Sequence, residues 1–447
     1  MSELVEAWRH APTHRKIRAL AAPMVLSNLT IPLVAITDSA MAGHLPEPHQ
    51  LAAVAVGSSV YGVMVGLLAF LRMATTGFAS QATGRRDGDA LRRILLQSLC
   101  LGVLLAAALA LTVLPVVDAV FRGMQPSSEL GDLAREYFGI RLLGLPAALV
   151  SYALIGWFLG AQNARAPLLM LLVTNLGNVA LDLIFVLGLE WGVSGIARAS
   201  LLAEWFGALL GLALVPAILT RHPGRFTLAG LGRWQSWHVL LKVNRDIFIR
   251  SLILQGVFLL VTLQGARLGE TTVAANALLF NGLLLAAFAL DGLAHAVEAL
   301  SGHAIGAGNR QALRRAIVVC SGWALLASLG FSLFFILFGH NFIALQTNLP
   351  EVRASAGSFL PYLAWLPLIA VWSYLLDGLF IAATRAQEMR NAMLQAAAIA
   401  LPLAWLLQPL GNHGLWLAFL AFMLLRGLLL AHVGWRLQRD DAWIGKH

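Results

Sequence analysis

SYALIGWFLGAQNA at 151–164 recurs, at an offset of 222, as SYLLDGLFIAATRA at 373–386, with Ser151/Ser373, Tyr152/Tyr374, Gly156/Gly378 and Phe158/Phe380 among the identities. The same offset pairs Gly84, Ala90, Leu91, Arg92 and Arg93 with Gly306, Ala312, Leu313, Arg314 and Arg315. It also pairs Ala52, Ala53 and Ala55 with Ala274, Ala275 and Ala277. An Ala/Leu-rich chain gives chance identities, but not matches in Arg, Tyr, Ser and Phe at one fixed offset. The 447 residues therefore read as a tandem duplication. Both copies are apolar: 59% of residues are hydrophobic and 12% charged, against roughly 45–50% and 25% in soluble domains. So few charges cannot cover a soluble fold of this size, and long apolar runs recur throughout. The sequence specifies an all-α polytopic membrane protein.

Twelve spans follow from the apolar runs, at 17–41, 51–75, 92–118, 132–160, 166–190, 194–218, 243–268, 272–300, 312–340, 354–383, 391–409 and 412–436. An even count puts both termini on one side. The odd-numbered loops carry only Arg122, Arg135, Arg267 and Arg353, whereas most of the 31 Lys and Arg fall at the termini and in the even-numbered loops. That asymmetry predicts cytoplasmic termini, and it reads the net charge of +9 as topology rather than nucleic-acid binding. Arg72, Arg141, Arg198, Arg250 and Arg426 fall within spans, mostly near their ends, where snorkelling is expected. Cys100 and Cys320 both lie in apolar runs and form neither a disulfide nor a metal pair on this reading. The expected organisation is an N-lobe at 1–218, a cytoplasmic linker at 219–242 and a C-lobe at 243–447 with a short tail. Each lobe is a six-helix bundle, and the two are related by a pseudo-two-fold axis along the membrane normal. A cleft between such bundles can open to each side in turn, as alternating access requires.

Ionisable residues at membrane depth are costly, which makes Asp38, Asp182, Glu204, Asp291, Glu298 and Asp377 functional candidates. Asp38 and Asp182 fall in the outer half of the first bundle at similar levels. Thr174, Asn178 and Asp182 follow one another at i, i+4 and i+8, a polar stripe on span 5. Tyr137 and Ser200 fall at comparable depth. Pro23 and Pro32 remove backbone hydrogen bonds from span 1 and permit bending of the segment that carries Asp38. A carboxyl so placed can be protonated from outside and release its proton inside, coupling proton entry to that bend. The second half has Leu260 and Ala404 where the offset would require Asp. Coupling is therefore asymmetric and belongs to the first bundle.

"ALAAPMVLSNLTIPLVAITDSAMAGHL" in span 1, with Pro23, Asn28 and Asp38, resembles the first helix of the multidrug and toxic compound extrusion (MATE) family, DinF-like prokaryotic branch. "LAAVAVGSSVYGVMVGLLAFLRMATTGFASQATGRRD" from Leu51 and "NLGNVALDLIFVLGLEWGVSGIARAS" from Asn175 are similar to that branch too. The resemblance implies a bacterial inner-membrane antiporter that exports amphipathic, often cationic, organic compounds against protons, or alternatively sodium. It implies a cation-coupling pocket at Asp38, Tyr137, Asn178, Asp182 and Ser200, the last standing where Thr is common. Asn28, Thr174, Asn175, Gln255 and Asp377 are further candidates for contact with substrate or ion. No metal or organic cofactor is expected, and the default state is a monomer in the bilayer.

Other classes fit less well. A major-facilitator transporter would need its loop signature, of which "GRRDG" at 84–88 is a faint echo. A lipid-linked sugar flippase of the same superfamily shares the architecture but usually carries extra helices and a more basic cavity. An intramembrane aspartyl protease would need a Gly-x-Gly-Asp motif and an ATP-driven pump a P-loop, and the chain has neither.

Overall fold

The computed structural model describes residues 2–123, 128–227, 232, 234–440 and 442–444. These residues are overwhelmingly α-helical, because a chain in hydrocarbon must satisfy its own amides. A short helix α1 (Ser2–Trp8) precedes α2 (Ala11–Gly43). Next come α3 (Pro48–Leu67), α4 (Phe70–Gly84), α5 (Gly88–Gly123), α6 (Ser128–Leu142), α7 (Leu145–Gly160), α8 (Arg165–Asp182) and α9 (Gly192–Leu219). The second half holds α10 (Trp234–Arg267), α11 (Glu270–Gly306), α12 (Arg310–Gln346), α13 (Pro350–Ala382), α14 (Ala386–Leu406) and α15 (Asn412–Arg439). Among the described residues ten segments are long and apolar enough to cross a membrane, α3 and α4 running on as one of them, and α6 with α7 makes an eleventh. With α14, each of the twelve spans read from the sequence has its counterpart.

Three details depart from that reading. The span expected to run unbroken over 132–160 bends by 45° between α6 and α7. Pro146, in the first turn of α7, has no N–H and its ring excludes a helical carbonyl at Leu142. The fifth span does not end as an α-helix: directly after Asp182 the backbone widens into a π-helical turn, Leu183–Gly188. The seventh begins early, α10 starting at Trp234 inside the expected linker 219–242, of which residues 228–231 and 233 lie outside the described residues.

The duplication is visible in backbone detail. Asp87 caps α5 through the Ala90 N–H at 2.8 Å, and its repeat mate Asn309 caps α12 through Ala312 at 2.9 Å. Gln162 and Thr384, again repeat mates, both adopt positive φ, at 62° and 55°. A Cβ on Gly156 of α7 would lie 2.3 Å from the Arg72 carbonyl oxygen of α4, and one on Gly378 of α13 would lie 2.8 Å from that of Ala294 on α11. Each half therefore uses glycine at the same point to seat its fourth span on its second. Gly156→Ala should cost about 1–3 kcal/mol by overpacking against backbone. Gly177→Ala, where nothing lies within 4 Å, should be neutral, as read by thermal unfolding in detergent.

By contacts the chain falls into two compact units, Leu26–Val239 and Met1–Val25 with Leu240–His447. In the latter, Leu279, Phe335, Leu363, Trp416, Phe419 and Phe422 are core residues. The first 25 residues pack there as well. The Trp8 ring fills the space a side chain at Gly322 would occupy, and Glu3 and Glu6 pair with Arg314 and Arg315 on α12. His14 accepts from the Trp323 indole N–H at 3.0 Å, and its other nitrogen bonds the Trp8 carbonyl. Val25 and Ala21 close on Gly292 of α11, where a Cβ would lie 2.3 Å from Val25 Cγ2.

Candidate cation-coupling site

In the unit Leu26–Val239 one polar cluster draws on five helices. Four of them contribute residues at i and i+4, which share one helix face: Gly57 and Tyr61 on α3, Tyr137 and Arg141 on α6, Asn178 and Asp182 on α8, and Ser200 and Glu204 on α9. The fifth, α2, brings Asp38. Gly57 matters because its missing side chain admits the Tyr137 ring, whose Cδ1 would be 2.6 Å from a Cβ there. Tyr137 is buried at 1% exposure among Met41, Val54, Val186 and Ile196.

Five of the sequence candidates are thus brought together. Asn178 Nδ2 donates to Ser200 Oγ at 2.9 Å. The Asp38 and Asp182 carboxyls lie close enough for one proton to be shared between them. Asp38 Oδ1 and both oxygens of Asp182 are buried and accept no hydrogen bond among the described residues. Buried carboxylate oxygens normally find donors, so three such atoms at one point are a functional signal. Asn175 donates to Thr30 Oγ1 on α2, tying α8 to the helix that carries Asp38. Thr174 lies against Gly207 of α9. Asn28 is buried, and Pro32 and Pro23 sit in an unbroken α2, in different units.

Three residues at the centre of this cluster were not singled out for it. Arg141, expected to snorkel, is instead buried, with side-chain exposure of 11%. Its Nη2 donates to Glu204 Oε1 at 2.8 Å, and its guanidinium lies 4.2 Å from the Tyr61 ring centroid. The Tyr61 hydroxyl donates to Glu204 Oε2 at 3.1 Å. In the last turn of α6 the arginine turns inward, where the Glu204 carboxylate and the Tyr61 ring receive it. The only hint in sequence is that Tyr137 and Arg141 are i and i+4. Gly144, at the bend, makes room for Glu204: a Cβ there would lie 2.2 Å from Glu204 Oε2. Gly144→Val should therefore dislodge the Arg141–Glu204 pair and reduce transport at least tenfold, while Gly139→Val on the same span, with open space around it, should be tolerated in a reconstituted transport assay.

The other unit holds a different cluster. Asp377 on α13 receives Arg250 of α10 and, at 2.9 Å, Arg426 of α15. Arg426 is 1% exposed and its guanidinium also lies 5.8 Å from the Phe422 ring centroid. Arg426 is the repeat mate of Glu204, so the corresponding position carries opposite charge in the two halves. Gln255 is half-buried on α10.

Residues 23–184 and 247–406 match the MatE family, one copy in each half of the chain. The chain belongs to the MatE family. MatE proteins are membrane transporters, so this is a multi-pass transporter and not an enzyme. DNA damage-inducible protein F of Escherichia coli (strain K12) is 42% identical to this MatE protein over 95% of this chain and 92% of that one. The probable multidrug resistance protein NorM of Xanthomonas campestris pv. campestris is 29% identical over 80% of this chain and 78% of its own. Among solved structures, a MATE protein in the bent conformation superposes with a TM-score of 0.85 over 98% of both chains at 22% identity. One in the straight conformation also gives 0.85 over 98% of both, at 21% identity. At those identities the likeness establishes the MatE fold.

Proposed function

We propose that this transporter is a multidrug efflux antiporter that exports amphipathic, often cationic, organic compounds in exchange for protons. The observation that carries the coupling is the Asp38–Asp182 pair, whose buried oxygens lack donors that a proton would supply. Asn178, Ser200 and Tyr137 stand in the same buried cluster, where their amide and hydroxyls supply polarity beside the pair without adding charge. Export of several drugs is supported by the name of the NorM relative. The proposed cycle is alternating access in the bacterial inner membrane, with both termini cytoplasmic and the protein acting as a monomer. Protonation of the pair is read out as bending of α2 about Pro23 and Pro32, and the existence of bent and straight MATE structures supports that step. Equal spin-label distances along α2 at acid and alkaline pH would remove it.

Sodium is the second reading, and Asp377 is where it would act. The two guanidinium groups already on that carboxylate favour the proton. The test is efflux of a fluorescent organic cation from proteoliposomes, with a pH gradient or a sodium gradient imposed separately. Efflux under the pH gradient alone is expected. A requirement for sodium would sink the proton reading, and no movement under either gradient would point to a lipid-linked substrate instead.

A further inference from the structure

The Arg141 side chain is more than a partner for Glu204. Only its Nη2 is engaged; Nε and Nη1 are buried and donate to nothing among the described residues. An arginine carries five N–H donors in a rigid fork, and burying several unused is costly. The same cluster contains three buried carboxylate oxygens with no donor, on Asp38 and Asp182. Arg141 acts electrostatically on both aspartates. Unused donors and unused acceptors therefore stand in one buried cluster, not joined in this conformation.

We propose that Arg141 is an internal counter-cation that swings from Glu204 to the Asp38–Asp182 pair when the pair gives up its proton. This rests on the proton-coupling reading and adds the group that answers the charge. In the protonated state the pair needs no cation, and Arg141 stays on Glu204. When the proton leaves, the pair holds a further negative charge in low dielectric, where an adjacent cation is worth most. Arg141 then turns Nη1–H and Nε–H toward it. The Tyr61 ring is the pivot, since a guanidinium sliding over an aromatic face keeps its cation–π contact. Glu204 is not abandoned, because the Tyr61 hydroxyl still donates to it. The charged and titratable groups facing Arg141 are Asp38 of α2, Tyr61 of α3, Tyr137 of α6, Asp182 of α8 and Glu204 of α9. Tyr152 of α7 and Arg72 of α4 lie one layer further out.

Two measurements on the reconstituted full-length protein test this. The first compares the pH of half-maximal drug efflux in wild type, Arg141→Lys and the double variant Arg141→Gln with Glu204→Gln, which removes both charges but leaves hydrogen-bonding groups in place. Losing the counter-cation should move that pH upward by about one unit or more, the scale of one adjacent charge. Arg141→Lys should return it most of the way. An unchanged pH profile in the double variant would overturn the proposal and leave Arg141–Glu204 a static brace. The second is an acid-minus-alkaline infrared difference spectrum with guanidino-labelled arginine. A guanidinium band should change with pH in wild type and be absent in Arg141→Lys; no such band would overturn the proposal even in a variant-free protein. If wild-type efflux ignores the pH gradient, the coupling reading fails separately, and the infrared band alone then decides whether Arg141 changes partner.

Discussion

Asp182→Asn should abolish pH-driven efflux, lowering it by about two orders of magnitude, the scale on which loss of an essential proton-transfer group acts. Asp182 is wholly buried, and asparagine keeps its shape, so the bundle should remain folded while the exchangeable proton is gone. The variant protein should still bind drug and should purify with an unaltered melting profile. Asp38→Asn should act in the same way, and under the proposed coupling, in which the two carboxyls share one proton, the double variant should be no worse than either alone. Asn178→Ala and Ser200→Ala should weaken efflux by smaller factors, since they lose a hydrogen bond to each other beside the pair but carry no exchangeable proton. Undiminished efflux in Asp182→Asn would place the exchanged proton elsewhere.

The second large effect is on stability. Asp377→Ala leaves Arg250 and Arg426 buried together with no acceptor between them. Removing one partner of a buried ion pair costs about 3–5 kcal/mol, and here two cations are exposed to each other at once. The variant should unfold in detergent well below wild type or fail to accumulate. Arg250→Met should be much milder, because Asp377 keeps Arg426 at 2.9 Å. Combining Arg250→Met and Arg426→Met with Asp377→Leu should recover most of the loss, since the charges are then removed together. A stable Asp377→Ala would mean that the two guanidinium groups find other acceptors.

The fold was legible because a bilayer leaves few choices. Apolar runs of sufficient length must be helices, and Arg92, Arg93, Arg314 and Arg315 at one offset announced the duplication. Asp38 and Asp182 could be picked out because a carboxylate in an apolar run has no cheap explanation, and Asn178 because it lies one turn before Asp182 on the same helix face. Arg141 could not, because an arginine near an expected helix end snorkels, and Glu204, although a candidate by its depth, carried no sign in sequence of the partner it would meet. What ties them is a bend set by Pro146 and a vacancy at Gly144. Neither residue says which neighbour fills the space it leaves. The packing of Trp8 and Val25 with the second half was equally silent, since nothing in residues 1–25 marks which apolar surface they will meet.

That last packing has a consequence for how the protein is made. Trp8, Ala21 and Val25 leave the ribosome well before the Gly292 and Gly322 surfaces they fit, which are synthesised hundreds of residues afterwards. At about 5–20 residues per second the wait is on the order of tens of seconds. During that interval the beginning of α2 is inserted without the neighbours it will keep. The nascent chain must therefore be held with its opening segment unplaced, and cutting the gene at the linker would separate that segment from its seat. Complementation between two co-expressed halves should then depend on residues 2–25 travelling with the first fragment and docking onto the second.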